Sequence, residues 1–259
     1  MRFGLIALAL LPFLWPVPSQ WRGLALVSIC LGSGHFGLLF LGLSLSEASA
    51  AAVVGQLGVP FTTILSIMFL NERIGWRRSL GIALSFLGVV IISFNPESFS
   101  FGVGLMLIAL SAFLGAIGGV TLKRITPLPA LKMQAWLGLY SVFPLIVLSL
   151  VFETGQVSAL TGSGPEMWAI LAFAVLAVSI FGHSTFYNLI KRHDMSLLSP
   201  LTLMTPIWSV IFAILLLNEA LTVQLVIGGA VALLGVGIVA IRSNTAVGLE
   251  ATSIQRNAK

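Results

Sequence analysis

Long apolar runs, interrupted by charges, prolines, glycines or serine clusters, divide the chain into nine segments. A helix needs about 20 mostly apolar residues to cross the hydrocarbon core of a bilayer. Strands of a membrane barrel would alternate apolar and polar residues, and these runs do not alternate. The pattern therefore predicts an all-α polytopic membrane protein with nine transmembrane helices. The predicted spans are 3–17, 23–43, 48–70, 78–94, 103–123, 131–152, 167–190, 196–217 and 223–241.

The composition also predicts a lipid environment. Of the 259 residues, 58% are hydrophobic and only 8% are charged, whereas about 25% of the residues of a soluble protein are charged. Because so few charges cannot cover a surface in water, the predicted partner of that surface is the lipid bilayer. The net charge of +5 does not indicate nucleic acid, since the basic residues form no continuous patch.

The basic residues predict the orientation of the chain. Lys and Arg accumulate on the cytoplasmic side of a membrane, and all of them except Arg2 lie on the side reached by the odd-numbered spans. That side is predicted to be the cytoplasm, and it includes the C-terminal tail 243–259, which is predicted to be disordered. In this scheme Arg2 lies outside. If residues 1–17 were instead a secretory signal peptide, Arg2 and Arg22 would exchange sides, but residues 15–20 lack a small-x-small cleavage site.

A sequence repeat relates the two halves of the chain. Residues 71–93 align without gaps on residues 218–240, and each copy has an Asn-Glu turn before a glycine-bearing span. Basic residues follow the first turn but not the second, so the turns are predicted to lie on opposite sides. Such inverted repeats are a common plan of secondary transporters. The predicted repeats are 1–95 with four helices and 101–242 with five. The identical pairs include Asn71/Asn218, Glu72/Glu219, Gly81/Gly228 and Gly88/Gly235.

These motifs resemble those of the EamA-type carriers of the drug/metabolite transporter superfamily. The resemblance is carried by the proline-to-glutamate segment 60–72 and its second copy 206–219, each followed by two glycines. It implies a protein of the inner (cell) membrane with two inverted repeats of five helices each. It also implies that the first helix of the family pattern is missing ahead of Met1. Many members of the family export amino acids and related metabolites.

The predicted function is therefore secondary transport of a small-molecule substrate, with export of amino acids or related metabolites by alternating access. No phosphate-binding loop of the GxxxxGK[ST] kind occurs, which argues against ATP-driven transport by this chain alone. No cofactor is predicted, and a homodimer is compatible with the sequence. The alternatives are a polytopic membrane enzyme and an assembly subunit without transport activity. Short loops and the inverted repeat favour the carrier.

Polar side chains within the spans are the candidates for substrate binding, because polar groups in a membrane interior are costly. No Asp, Glu, Lys or Arg falls at the centre of a predicted span, and neither catalytic nor metal-binding residues are predicted. His183 and Tyr187 are four residues apart and share a helix face. The alternative role of such groups is hydrogen bonding or packing between helices. The candidates are His35, Gln56, Tyr140, His183, Tyr187, Asn188, Thr202, Thr205 and Trp208.

Two prolines are predicted to act as hinges, Pro60 and Pro206. Proline bends a helix and frees the carbonyl four residues earlier, so the carbonyl of Gln56 is predicted to be free for a ligand. The alternative is a purely structural kink. Glu72 and Glu219 are predicted to cap the helix that follows each turn, where an acidic group favours the helix dipole.

Overall fold

The chain is almost entirely helical. A computed structural model describes residues 1–70, 75–95, 100–122, 124–125, 128–186, 189 and 195–257. The α-helices are α1 Arg2–Ala9, α2 Trp21–Ser28, α3 His35–Leu43, α4 Ala48–Gly55, α5 Gly58–Leu70, α6 Trp76–Ser93, α7 Val103–Leu122, α8 Ala130–Phe152, α9 Gln156–Thr161, α10 Pro165–Phe173, α11 Met195–Leu217 and α12 Val223–Asn257. Two π-helices, π1 Ile29–Gly34 and π2 Ala174–His183, and one 3₁₀ helix, Leu11–Leu14, connect some of them. A two-residue antiparallel pair joins β1 Phe94–Asn95 to β2 Ser100–Phe101.

Seven helical segments of the described chain are long and apolar enough to cross a membrane, judged by length and composition. A multi-pass membrane protein is therefore the architecture that the structure supports. α11 is 23 residues long, and its part Leu203–Leu217 is also apolar. The seven segments are Trp21–Leu43, Ala48–Phe69, Trp76–Ser93, Val103–Leu122, Ala130–Phe152, Pro165–Phe186 and Val223–Ala240.

The two ends of the chain differ from the sequence-based expectations. The first predicted span, 3–17, is divided into the eight-residue α1 and the 3₁₀ helix. Pro12, Pro16 and Pro18 explain the division, because each lacks the N–H that a continuing helix needs. At the other end, the tail that was predicted to be disordered continues α12 to Asn257. This part of the tail contains no proline that would end the helix.

The described chain forms two compact units. Unit 1 consists of Met1–Gly37 and Ile117–Arg192, and unit 2 of Leu38–Ala116 and His193–Lys259. Each unit therefore combines residues from 1–95 with residues from 101–242. A division of the sequence into two consecutive halves is thus distinct from the division into compact units.

The core of unit 1 lies where α1 and α2 pack against α8. Phe3 and Ile6 of α1 and Val27 of α2 are buried in one cluster with Trp136 of α8. Gly138 makes the close approach possible, since a Cβ atom there would lie 3.0 Å from the carbonyl oxygen of Phe3. Tyr140, one of the polar candidates, packs against this cluster.

The core of unit 2 is centred on the pair α6 and α12. A Cβ atom added to Gly81 would lie 2.8 Å from the carbonyl oxygen of Gly235, and one added to Gly228 would lie 2.7 Å from that of Gly88. The backbones are therefore in direct contact, as small residues allow in membranes. Because Gly81 meets Gly235 while Gly88 meets Gly228, the two helices run antiparallel.

Candidate functional site

Arg2 is a partly buried charged side chain that lies against a candidate membrane span. Its Nε donates a hydrogen bond of 2.9 Å to the Oγ of Ser179, which lies in π2 and well inside the candidate span Pro165–Phe186. Its guanidinium carbon lies 4.7 Å from the ring centroid of Phe36 and 5.6 Å from that of Phe3. The prediction that Arg2 lies on the side opposite the cytoplasm stays a prediction. In the structure its side chain lies beside the interior of the candidate span Pro165–Phe186.

His35 and His183 both adjoin π-helices in unit 1. π1 ends at Gly34, and His35 is the first residue of α3, while His183 is the last residue of π2. Short π-helical segments occur often at functional sites. The ring of His35 packs edge-on to that of Phe36 at 4.9 Å, and His183 is within electrostatic reach of Arg2. Phe36 and Arg2 thus connect the surroundings of the two histidines.

Two buried polar atoms in unit 1 have no hydrogen-bond partner within the described part of the chain. They are the indole Nε1 of Trp136 and the hydroxyl of Ser184. Trp136 packs in the same cluster as Phe3 and Phe36, and the ring of Tyr140 lies 5.4 Å from that of Trp136. The candidate Tyr140 is therefore a neighbour of an unpaired donor. Tyr187 and Asn188 lie outside the described residues.

The candidates Gln56 and Pro60 lie in unit 2 at a break in a helical span. α4 ends at Gly55 and α5 begins at Gly58, so the break lies just before Pro60. The Gln56 carbonyl is not free, however, because it accepts a hydrogen bond of 3.1 Å from the N–H of Val59. The turn between α4 and α5 is tighter than an α-helix, with a hydrogen bond between residues three apart. This bond occupies the carbonyl that Pro60 leaves without its helical partner. That expectation for Gln56 is corrected.

The second predicted hinge differs from the first. Pro206 is fully buried within α11, which runs without a break from Met195 to Leu217. Thr205 is exposed and Trp208 is half exposed, and the ring of Trp208 stacks on Phe212 at 6.0 Å. The side chain of Thr202 is outside the described part. These polar residues of α11 remain predicted ligands.

Glu219 caps a helix, but not the one that follows it. Its carboxylate accepts hydrogen bonds from the backbone N–H of Ala48 at 2.7 Å and of Ser49 at 2.9 Å, at the start of α4. The next helix in the chain, α12, is instead capped by Thr222, whose hydroxyl accepts from the N–H of Leu225. Asn218, with φ 55°, reverses the chain after α11 and thereby directs Glu219 towards α4.

The electrostatics of Glu219 fit this cap. Partial burial raises the pKa of its carboxyl, but the contacts with Ser49 and the N–H of Ala48 outweigh that effect and hold the pKa below its ordinary value. The Ser49 hydroxyl is buried without a hydrogen bond of good geometry and still helps to lower the pKa. The equivalent residue of the first turn, Glu72, lies outside the described residues.

Other features of the described chain do not form a chemical site. No group of three His, Cys, Asp or Glu side chains that could hold a metal ion occurs in the residues that the structure describes. An open groove on unit 1 runs along α1, the 3₁₀ helix and α8, and its lining is apolar. None of the polar candidates that the structure describes lines this groove.

Seven apolar helical segments that could cross a membrane, one of them broken, fit a multi-pass membrane protein. The chain belongs to the EamA-like transporter family, whose sequence profile matches residues 1–94 and 102–241. This membership confirms the resemblance and indicates a transporter rather than an enzyme.

Individual relatives agree with the family. The chain is 27% identical over 248 residues to a Salmonella typhimurium protein named "Probable amino-acid metabolite efflux pump", covering 92% of this chain and 83% of that protein. It is 29% identical over 226 residues to an uncharacterised transporter of Archaeoglobus fulgidus, covering 85% and 79%. A crystal structure of a protein that is 20% identical has a similar fold, with a TM-score of 0.61 over 92% of this chain and 84% of that one.

Proposed function

We propose that this chain is a secondary carrier that exports amino acids or related small metabolites across the cell membrane by alternating access. The observation that carries the proposal is the family match over residues 1–94 and 102–241. Relatives from Salmonella typhimurium and Escherichia coli, both named as probable amino-acid metabolite efflux pumps, support the substrate class. In this proposal the C-terminus faces the cytoplasm.

Two features within unit 2 support a moving carrier with inverted repeats. The repeat-related glycines meet crosswise between the antiparallel α6 and α12, so a pseudo-two-fold axis would exchange the two contacts. The span Ala48–Phe69 is divided at Gln56, and discontinuous helices are typical of substrate sites in transporters. The break supplies a point of bending, which an unbroken helix lacks.

The proposed ligands are the polar residues predicted within the apolar spans. They are His35, Tyr140 and His183 in unit 1, together with Tyr187 and Asn188 of the same sequence segment, and Gln56, Thr202, Thr205 and Trp208 in unit 2. Pro60 is the proposed hinge of the broken span. Its partner in the other repeat is Pro206.

The test is a comparison of metabolites in the growth medium of bacterial cells that express the chain. The control is the double variant His35→Leu/Gln56→Leu, which removes one proposed ligand from each unit. A matched variant, Gln224→Leu, changes an exposed glutamine at the start of α12 and should export normally. We expect selective accumulation of an amino acid or a related metabolite with the unaltered chain and with Gln224→Leu only.

Membrane insertion of all three proteins is measured in the same cells. Equal insertion without any selective accumulation by the unaltered chain would contradict the export proposal. Accumulation that persists in the double variant would leave export intact but remove His35 and Gln56 from the proposed ligands.

A further inference from the structure

The buried polar groups of unit 1 that have no described partner are hydrogen-bond donors. The Nε of Arg2 donates a hydrogen bond to Ser179. No described residue forms a hydrogen bond with the two terminal amino groups of its guanidinium. The indole of Trp136 can only donate, and its Nε1 is buried without a partner. The Ser184 hydroxyl, next to His183, is also buried without one. The cluster therefore offers several unused donors and a positive charge.

The charge of Arg2 has no acidic partner in the described chain. A cation near the interior of a membrane is expensive, and such residues usually pair with an anion or mark a substrate path. Contact with the faces of Phe36 and Phe3 offsets part of this cost, because an aromatic ring attracts a cation. Among the described residues, hydrogen bonding to the guanidinium is confined to its Nε, and the two terminal amino groups at its edge have no described partner. That edge is the part that binds a carboxylate through two parallel hydrogen bonds.

The surrounding contacts fix the direction of this edge. The hydrogen bond to Ser179 holds one end of the guanidinium, and the Phe36 ring at 4.7 Å supports its face. Arg2 is itself partly buried, and Phe3 beside it is anchored in the core of unit 1. A guanidinium that is held in place before binding loses little freedom when a ligand arrives.

We propose that Arg2 is the centre of a binding site in unit 1 for the carboxylate of the transported solute, with His183, Ser184 and Trp136 as further donors. This assignment rests on the proposed transport function and narrows the substrate to metabolites that bear a carboxylate, as amino acids do. Ser179 and Phe36 are positioning residues, since they orient the guanidinium. Arg2 was absent from the ligands predicted from the sequence.

The first test needs no variant. The full chain is purified in detergent, and its melting temperature is measured with a mixture of L-alanine, L-leucine, L-phenylalanine and L-threonine. A second titration uses the methyl esters of the same four amino acids, which keep the side chain and the amine but lack the carboxylate. We expect a saturable rise in melting temperature with the acids and none with the esters. No rise with the acids, or an equal rise with the esters, would overturn the assignment.

The second test compares three arginine variants in the same titration. Arg2→Gln removes the charge and should weaken acid binding about ten- to hundred-fold, the usual worth of a hydrogen bond to a charged group. Arg2→Lys keeps the positive charge but lacks the paired donors of the guanidinium, and it should bind the acids with intermediate strength. Arg22→Gln is the matched control, because Arg22 also lies over an aromatic ring, that of Trp21 at 5.3 Å, but is exposed. Its acid binding should not change.

Unaltered acid binding by Arg2→Gln would overturn the site. If Arg2→Gln does not fold, Arg2→Lys is used in its place. Acid binding by Arg2→Lys as strong as that of the unaltered chain would also overturn the site. Because these titrations measure binding in detergent, they are independent of transport. If the chain binds the acids but does not export them, the proposed function is wrong and the site stands. If the chain exports metabolites but binds acids and esters equally, the site is wrong and the proposed function stands.

Discussion

Glu219 is the residue whose role differs most from its position in the sequence. It stands four residues before Val223, where α12 begins, and an acidic residue at such a place usually favours the helix dipole nearby. In the structure its carboxylate instead caps α4, more than 160 residues earlier in the chain. A local cap would stabilise one helix, but this contact joins two elements of unit 2. Loss of this contact should therefore destabilise the packing of the turn against α4 as well as the start of α4 itself.

We predict that Glu219→Gln lowers the melting temperature of the purified chain at neutral pH, by the equivalent of about 1 kcal/mol for a lost helix cap. Because the pKa of Glu219 is held below its ordinary value in the fold, its stabilisation is fully present above the pKa of an unfolded glutamate, about 4.3. It is lost as the pH falls through the lower folded-state pKa. The melting temperatures of the two proteins should converge over that acidic window.

The matched control for this prediction is Glu166→Gln. Glu166 is also acidic and lies in the first turn of a helix, α10, but it is exposed. Its variant should change the melting temperature much less at neutral pH. A difference between Glu219→Gln and the unaltered chain that stays constant down to acidic pH would show that the carboxylate charge is not what stabilises the contact.

Residues also show the limit of prediction from sequence. The histidines and Tyr140 were predicted because polar side chains within apolar runs can be found by inspection. Arg2 was not, because it precedes its apolar run, and only the packing of α1 against α8 and π2 brings it to Ser179. A signal was present, since Arg2 was the single basic residue that disagreed with the predicted orientation. An exception to the charge rule is a reason to look for a membrane-embedded role.

At the scale of the elements, helix existence was predictable and helix interruption was not. The apolar runs marked most of the spans, since burial in lipid requires a minimum length of apolar chain. Pro60 and Pro206 carry the same sequence signal, yet the first lies beside a break and the second in a continuous α11. The difference arises from the local hydrogen bonds. The N–H groups of Gln56 and Leu57 donate to carbonyls three residues earlier in the chain, a pattern that a proline permits but does not require.

The break at Gln56 leads to a prediction for Pro60→Ala. Alanine restores the N–H of residue 60, which can then bond to the Gln56 carbonyl and join α4 to α5 as one helix. If bending at this break accompanies transport, export should slow severalfold while the melting temperature is maintained or rises. The comparison variant is Pro144→Ala, which replaces a proline inside the continuous α8. Equal export rates for Pro60→Ala and the unaltered chain would remove the hinge role.

The contact between α6 and α12 gives a second prediction at this scale. In Gly88→Ala the added methyl group would clash with the backbone of α12 at Ala232 and Gly228. Overpacking of this kind costs about 1–3 kcal/mol, so the melting temperature should fall. Gly119→Ala is the control, since a Cβ atom there would meet nothing within 4 Å. Alanine there should be neutral or slightly stabilising because it favours a helix. Equal behaviour of the two variants would contradict the close approach.

At the scale of the whole molecule, the repeat pattern and the compact units describe different properties. The repeats follow from sequence identity at equivalent positions, so they could be found without a structure. The units follow from tertiary contacts, and each draws on both halves of the sequence. That exchange was not visible in the sequence, because apolar positions facing lipid and apolar positions facing another helix have the same composition in a membrane.

The proposed inverted orientation of the repeats leads to a prediction about the side of the membrane on which each turn lies. Gly75 and Thr222 occupy equivalent positions after the two Asn-Glu turns, and both are exposed. In a Cys30→Ala background, a cysteine at position 222 should react with a membrane-impermeant maleimide in intact cells. A cysteine at position 75 should react only after the membrane is permeabilised, because the basic residues Arg77 and Arg78 favour the cytoplasm there. Labelling of denatured protein measures the total thiol in each case. If both cysteines reacted in intact cells, the two repeats would share one orientation. Pseudo-two-fold symmetry could then not explain why Gly81 meets Gly235 and Gly88 meets Gly228.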